Sequence, residues 1–226
     1  MDVFTWLDKK GIKYRDKDLI IEALTHSSYI NENKKFKHHN ERLEFVGDAV
    51  LQIWVSERLF KLDPPLSEGK MSSMRQQLVC EDALASLMRQ LGLGEFMLLG
   101  AGEEKSGGRN RNSLLADGFE AFIGALYLDT GMKSVDKILN EVMLPMIRHP
   151  EEAAFTDYKT PLQEYVQSDI RGNLNYRLLS EKGPTNDPVF EIGVFLDGVL
   201  LGKGIGSSKK RAEQQAAKQA LEKLVK

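Results

Sequence analysis

The chain has a single cysteine, Cys80, so no disulfide can form within it, and a reducing compartment is expected. It lacks any window approaching the roughly 18 uninterrupted apolar residues that a membrane span requires. Its opening residues, MDVFTWLDKKG, do not join a basic end to a long apolar run, so no secretory signal is expected. Charge of one sign is missing too: 31 Lys and Arg stand against 33 Asp and Glu, a net −2 that by itself says nothing for nucleic acid. No internal repeat at a solenoid period and no low-complexity tract is present. These absences predict a soluble cytoplasmic protein without membrane association or organic cofactor. What is there is a 42% hydrophobic chain, enough for one large core or two smaller ones. The small total charge hides an asymmetry. From Thr156 onward 11 Lys and Arg face 9 Asp and Glu, a balance of +2, whereas the first 155 residues hold 20 against 24, a balance of −4.

Up to about Met146 the hydrophobic period is helical nearly throughout. Helices are predicted at about Asp2–Lys9, Lys17–Thr25, Asn40–Leu59, Glu68–Gln77, Glu81–Leu91, Ser113–Asp129 and Ser134–Ile147. Breaks are expected at Asp63-Pro64-Pro65, at Gly92–Gly94, and in GAGEEKSGGRNR, where glycine and charge argue against a packed element. This first part, residues 1–149, reads as an all-α bundle, and 150–157 as a linker. The pattern then changes. Thr160-Pro161 opens a helix with Thr at the cap, three β-rich runs follow with a hairpin signal at Asp197-Gly198, and SSKKRAEQQAAKQALEKLVK closes with an amphipathic helix. Residues 158–226 are therefore a separate small α+β domain of order α-β-β-β-α.

Two of the predicted helices carry acids in an unusual place. In ERLEFVGDAVL, Glu41, Glu44 and Asp48 fall within roughly 60° of each other at about 100° per residue, while Leu43, Val46, Val50, Ile53 and Trp54 gather opposite. Phe45 sits beside the acids, so something must cover it: a partner surface, or an adjacent helix of the same chain. In LLADGFEAFIGALYLD, Asp117 and Glu120 point one way and Leu115, Phe119, Phe122, Ile123 and Leu126 the other. Ala121 and Gly124 share the acidic side and would allow close approach of a neighbour. If the two helices are neighbours, Glu44, Asp48, Asp117 and Glu120 converge. Their repulsion would amount to roughly a few kcal/mol per pair, relieved by protonation or by a cation. All-oxygen ligands favour Mg²⁺ or Mn²⁺ over zinc, and such a site suits phosphodiester hydrolysis. On spacing alone, two solvated faces of ordinary amphipathic helices remain the favoured explanation.

A wider pattern changes that balance. HNERLEFVGDAVL, LLADGFEAFIGALYLD, THSSYINEN, LSEGKMSSMRQQLV and GPTNDPVFEIGVFLDGVLLGKGIGSSKKRAEQQAA resemble, in order and over essentially the whole chain, the bacterial ribonuclease III family. The resemblance implies a homodimeric, helical endonuclease domain followed by a double-stranded RNA-binding domain. It implies that Glu44, Asp48, Asp117 and Glu120 hold Mg²⁺, Glu120 being the one whose loss removes cleavage but not binding. Glu41 and Glu68 match supporting acids, though a first-turn acid favoured by the helix dipole explains each as well. Phe45 would insert into a socket on the partner, with Met71 and Met74 as walls. Gln163, Glu164 and Asn186 would meet minor grooves, and Lys209, Lys210 and Arg211 would meet phosphates. Asn186 stands where many relatives carry His.

His26, His38, His39 and His149 lack the spacing of a ligand set and read as structural or exposed. Arg109 and Arg111 either touch RNA or solubilise a loop. The implied activity is Mg²⁺-dependent cleavage of double-stranded RNA to 5′-phosphate and 3′-hydroxyl ends with short 3′ overhangs, on ribosomal RNA precursors and other structured transcripts. The alternatives are a double-stranded RNA-binding regulator whose nuclease half is only a dimerisation scaffold, and a small-molecule phosphohydrolase that would leave the second domain without a task.

Overall fold

The computed structural model describes residues 2–35, 37–148, 158–183 and 188–224. The chain divides into two compact units, Met1–Phe155 and Thr156–Lys226. The expected linker, 150–157, and His149 lie outside the described residues.

In the first unit the helices are α1 (Val3–Lys9), α2 (Lys17–Ala23), α3 (Ser27–Glu32), α4 (Glu41–Phe60), α5 (Glu68–Leu78), α6 (Glu81–Gln90), α7 (Ala101–Lys105), α8 (Asn112–Thr130), α9 (Met132–Val142) and α10 (Leu144–Arg148). Helix α8 is buried almost all round from Leu114 to Leu126, as an apolar helix at the centre of a bundle must be. Against it pack α4, α6, α2 and α9. Trp54, Phe119 and Phe122 are the largest fully buried side chains of this core. Asp136 of α9 ties the bundle across: its carboxylate accepts from Trp54 Nε1 at 2.8 Å and from Arg58 Nη2 at 2.6 Å, and the Arg58 guanidinium lies 4.2 Å from the Trp54 ring centre.

Three expectations for this unit need correction, and α3 is a helix that the hydrophobic period does not predict. The stretch Ser134–Ile147 is two helices, because Pro145 has no amide hydrogen to continue α9 but fits the first turn of α10. Helix α3 has no long periodic face to announce it. It is too short to be stable alone and is held by tertiary bonds, Gly100 N to Ser28 Oγ at 2.9 Å and Ala101 N to Glu32 Oε2 at 2.8 Å. GAGEEKSGGRNR is not unpacked: it forms α7 and a 3₁₀ turn at Gly108–Asn110. Arg109 fixes it by bonding both oxygens of Glu104 and the Gly94 carbonyl, and Arg111 pairs with Glu103 at 3.0 Å. Ile53, placed on the apolar side of α4 by its angle, is 64% exposed.

The second unit consists of α11 (Lys159–Tyr165), a π-helical turn (Val166–Ile170), β1 (Leu174–Lys182), β2 (Val189–Leu196), β3 (Val199–Gly206) and α12 (Lys209–Leu224). The sheet is antiparallel in the order β1-β2-β3. Asp197 and Gly198 turn the β2–β3 hairpin with φ of 49° and 87°, the two left-handed positions of a type I′ turn. Leu162, Val166, Val194, Ala216, Ala217 and Ala220 form a small core. Helix α12 lies close on β3 because a side chain is absent at Gly204, where a Cβ would stand 2.1 Å from the Ala212 carbonyl oxygen. Thr160 is not the cap of α11. The helix begins one residue earlier, and Tyr158 N and Lys159 N donate to Gln214 Oε1 of α12 at 2.7 and 3.2 Å.

Candidate active site

The two acidic helices are in backbone contact. A Cβ built on Gly47 of α4 would lie 1.8 Å from the Glu120 carbonyl oxygen of α8, and one on Gly124 would lie 2.2 Å from the Leu43 carbonyl oxygen. Only glycine permits this crossing. It carries Glu44 and Asp48, which flank Gly47, to the same place as Asp117 and Glu120.

The electrostatics register that convergence. Burial first, and then the charges of Asp48, Glu44 and Asp117, push the Glu120 carboxyl up to about 8. Burial, followed by Asp117, Glu41 and Asp48, raises Glu44. Asp117 is raised by burial and by Glu81 and Glu41, with His26 acting against them. Glu44, Asp117 and Glu120 are thus half-buried beside other acids, a state that costs free energy as long as all are ionised, whereas Asp48 is exposed and accepts from Gln52 Nε2 at 3.3 Å. Among the described residues no group of three or more His, Cys, Asp or Glu side chains is gathered closely enough to hold a metal ion by itself. The donor chemistry still fits Mg²⁺, which takes one or two carboxylates directly and completes its shell with waters and substrate phosphate oxygens.

His26 and Glu81 join the neighbourhood although nothing in their local sequence pointed to it. His26 reaches it as the cap of α3, where its Nδ1 accepts from Ser28 N at 3.2 Å. Glu81 stands in the first turn of α6. Of the two supporting acids, exposed Glu41 acts on Glu44 and Asp117 and lies 3.7 Å from His39 Nδ1. Glu68 accepts from Ser72 Oγ at 2.8 Å and is not among the groups that perturb Glu44, Asp117 or Glu120.

Phe45 is not packed on an adjacent helix; it is 80% exposed, as Phe60 is at 75%. With Ile53 they leave an apolar strip on the outer side of α4. Met71 and Met74 are half-buried on α5 and packed against the core. In the second unit Gln163 and Glu164 of α11 are exposed, as are Lys209, Lys210 and Arg211 in the first turn of α12. Arg211 N donates to Ser208 Oγ at 3.3 Å, and Lys209 Nζ stands 5.6 Å from the Phe190 ring centre. Asn186 lies outside the described residues. Arg109 and Arg111 are engaged by the acids of α7.

Comparison with known proteins gives concordant matches. The Ribonuclease-III-like family model matches residues 16–147 and the double-stranded RNA binding motif matches residues 158–224. Ribonuclease 3 from Bacillus cereus (strain G9842) is 50% identical over 218 residues, which cover 96% of this chain and 89% of that protein. Ribonuclease 3 from Bacillus anthracis (strain CDC 684 / NRRL 3495) matches to the same extent. Among solved structures, the nuclease domain of ribonuclease III from Campylobacter jejuni is 37% identical with a TM-score of 0.58. The match covers 64% of this chain and 97% of that one, and that structure is described for flexibility in a region involved in dimer formation.

Proposed function

The chain belongs to the ribonuclease III family, and from that premise we propose that it is an endoribonuclease of double-stranded RNA that works as a homodimer with Mg²⁺, or Mn²⁺ as a substitute. The observation that carries the reading is the glycine-mediated crossing of α4 and α8, which holds four carboxylates in one electrostatic neighbourhood. Glu44, Asp48, Asp117 and Glu120 would hold the ion. When bound, it supplies a Lewis acid and an activated water for phosphodiester hydrolysis.

The protein's own part is charge and proton control. Burial and the neighbouring acids push the Glu120 carboxyl up to about 8, so Glu120 would have to lose its proton to hold the ion, whose charge would offset the crowding. Hydrolysis forms a bond from the water oxygen to phosphorus and breaks the bond to the 3′ oxygen, which leaves as a hydroxyl after taking a proton. The products are a 5′-phosphate and a 3′-hydroxyl. Gln163, Glu164 and the cations at the start of α12 are exposed and would make minor-groove and phosphate contacts along an A-form duplex, whose deep major groove hides its bases. Asn186 belongs to the same proposed interface.

The exposed strip of Phe45, Ile53 and Phe60 supports dimerisation, since a face this apolar is costly to leave in water. Phe45 would enter a socket walled by Met71 and Met74 of the second copy. Two copies related by a two-fold axis would bring two acid sites to one duplex, one per strand, as short 3′ overhangs would require. Ribosomal RNA precursors are the substrates we propose. No helix among the described residues is long and apolar enough to cross a membrane, in keeping with the cytoplasm as the proposed location.

The deciding experiment incubates a labelled RNA duplex with the wild-type protein and with Glu120→Gln, with and without Mg²⁺. Wild type cuts only with the metal, whereas the variant retards the duplex in a gel and leaves it whole. Cleavage by the variant at the wild-type rate would remove Glu120 from the site.

A further inference from the structure

The surface that leads into α4 carries a charge pattern the acid site does not use. Between Asn33 and Asn40 the chain reads KKFKHH, and Lys34, Lys35, Lys37 and His38 are exposed. None of the ion pairs among the described residues involves these three lysines. Four other cations of the first unit are taken up by acids: Lys10 by Glu141, Arg58 by Asp136, Arg109 by Glu104 and Arg111 by Glu103.

Both ends of the segment are fixed. At its start Asn33 N donates to the Tyr29 carbonyl at 2.9 Å, and neighbouring Glu32 holds Ala101 N at the head of α7. At its end buried Asn40 donates to the Thr25 carbonyl at 2.9 Å, while its own carbonyl accepts from Leu43 N and Glu44 N. The lysines therefore stand on a tethered strip running from the head of α7 to the head of the acid-bearing helix. Lys37, four positions before Glu41, is at most about 14 Å from it along the chain.

Physical need and geometry agree here. The first 155 residues carry a balance of −4, and the acid cluster adds a concentrated negative field at the very place where a polyanion must approach. Cations with no ion pair among the described residues, exposed on the segment that leads into the acid-bearing helix, would offset that repulsion. Lysine, a hydrated point charge on a flexible stem, suits contacts that ignore base sequence. We propose that Lys34, Lys35 and Lys37 form a phosphate-binding rim of the active site that grips the RNA backbone next to the scissile bond. This rests on the duplex-RNA reading above and adds to it a contact surface on the nuclease unit itself.

The test uses the full chain with Lys34, Lys35 and Lys37 all changed to Ala, the same three changed to Arg, and Lys37→Glu alone, each checked for an unchanged melting temperature. Duplex RNA binding is measured without divalent ion at several salt concentrations, and steady-state cleavage with Mg²⁺. Each phosphate contact contributes about 0.9 to the slope of log K against log salt, so the Ala variant should lose about 1 to 3 from that slope. Its KM should rise on the order of tenfold at moderate salt, and Lys37→Glu should move both quantities in the same direction. The Arg variant should retain the wild-type slope. An unchanged slope, a loss confined to kcat, or an Arg variant as weak as the Ala variant overturns the proposal. Failure of the duplex-RNA reading would look different, because wild type itself would then neither bind nor cut.

Discussion

At Glu120 burial and three neighbouring carboxylates act in the same direction, so the group resists ionisation until about pH 8. The consequence for stability has a definite sign. Between the ordinary value of 4.5 and about 8 the folded chain binds more protons than the unfolded one, so stability without metal falls as pH rises through that window. Melting temperatures taken in a chelator from pH 5 to 9 should decline for wild type. They should decline less for Glu120→Gln, which keeps the shape and removes the charge, and the variant should be the more stable of the two above pH 8. Metal binding at the proposed site would have to displace the same proton. Apparent Mg²⁺ affinity should therefore rise about tenfold per pH unit below 8 for one proton displaced, as a calorimetric titration at several pH values would read. Phe45 makes the same point about environment. Its neighbours in the sequence are the acids of the proposed site and core residues, and it belongs with neither.

At the scale of elements, the crossing of α4 and α8 depends on two missing side chains. Gly47→Ala would drive a methyl into the Glu120 carbonyl, 1.8 Å from the position a Cβ must take. A backbone atom cannot swing aside as a side chain can, so the helices must part. We expect a loss of at least about 1–3 kcal/mol in denaturant unfolding, together with a larger loss of cleavage than of RNA binding, since the carboxylates separate while the second unit is untouched. The α4–α9 tie is different in kind. Asp136→Ala leaves the indole N–H of Trp54 without its acceptor and Arg58 without its partner. The expected cost is about 1–3 kcal/mol, and Asp136→Asn, which retains an acceptor oxygen, should recover part of it. Elements also differed in how plainly they could be read. Helices α4 and α8 are long, periodic and nearly where the hydrophobic spacing puts them. Helices α3 and α7 are held by bonds to distant residues, Gly100 and Ala101 for α3, Gly94 for the turn after α7, which no local pattern contains.

At the scale of the whole molecule, the exposed strip of α4 bears on assembly. Phe45→Ala should shift sedimentation from dimer toward monomer with circular dichroism unchanged, and it should slow cleavage of both strands of a duplex together; a variant that remains dimeric at micromolar concentration would put the contact elsewhere. The sequence by itself determined the broad plan: a helical unit followed by an α-β-β-β-α unit, the identity of the acid-bearing helices, the basic first turn of α12 and the Asp197-Gly198 turn. Those features are local, because helical and strand periods, turn residues and charge runs are properties of neighbours along the chain. The tertiary structure decided what depends on approach in space. Gly47 and Gly124 become a helix crossing only when the two backbones meet, and Glu120 acquires its raised pKa only when burial in the bundle and the approach of Asp48 and Glu44 from α4 add to Asp117 of its own helix. Ile53, which the helical angle assigned to the interior, is left outside with Phe45 and Phe60 although Trp54, Val55 and Leu59 beyond it along α4 are buried, because which face of the helix is covered is set by where the neighbouring helices stand.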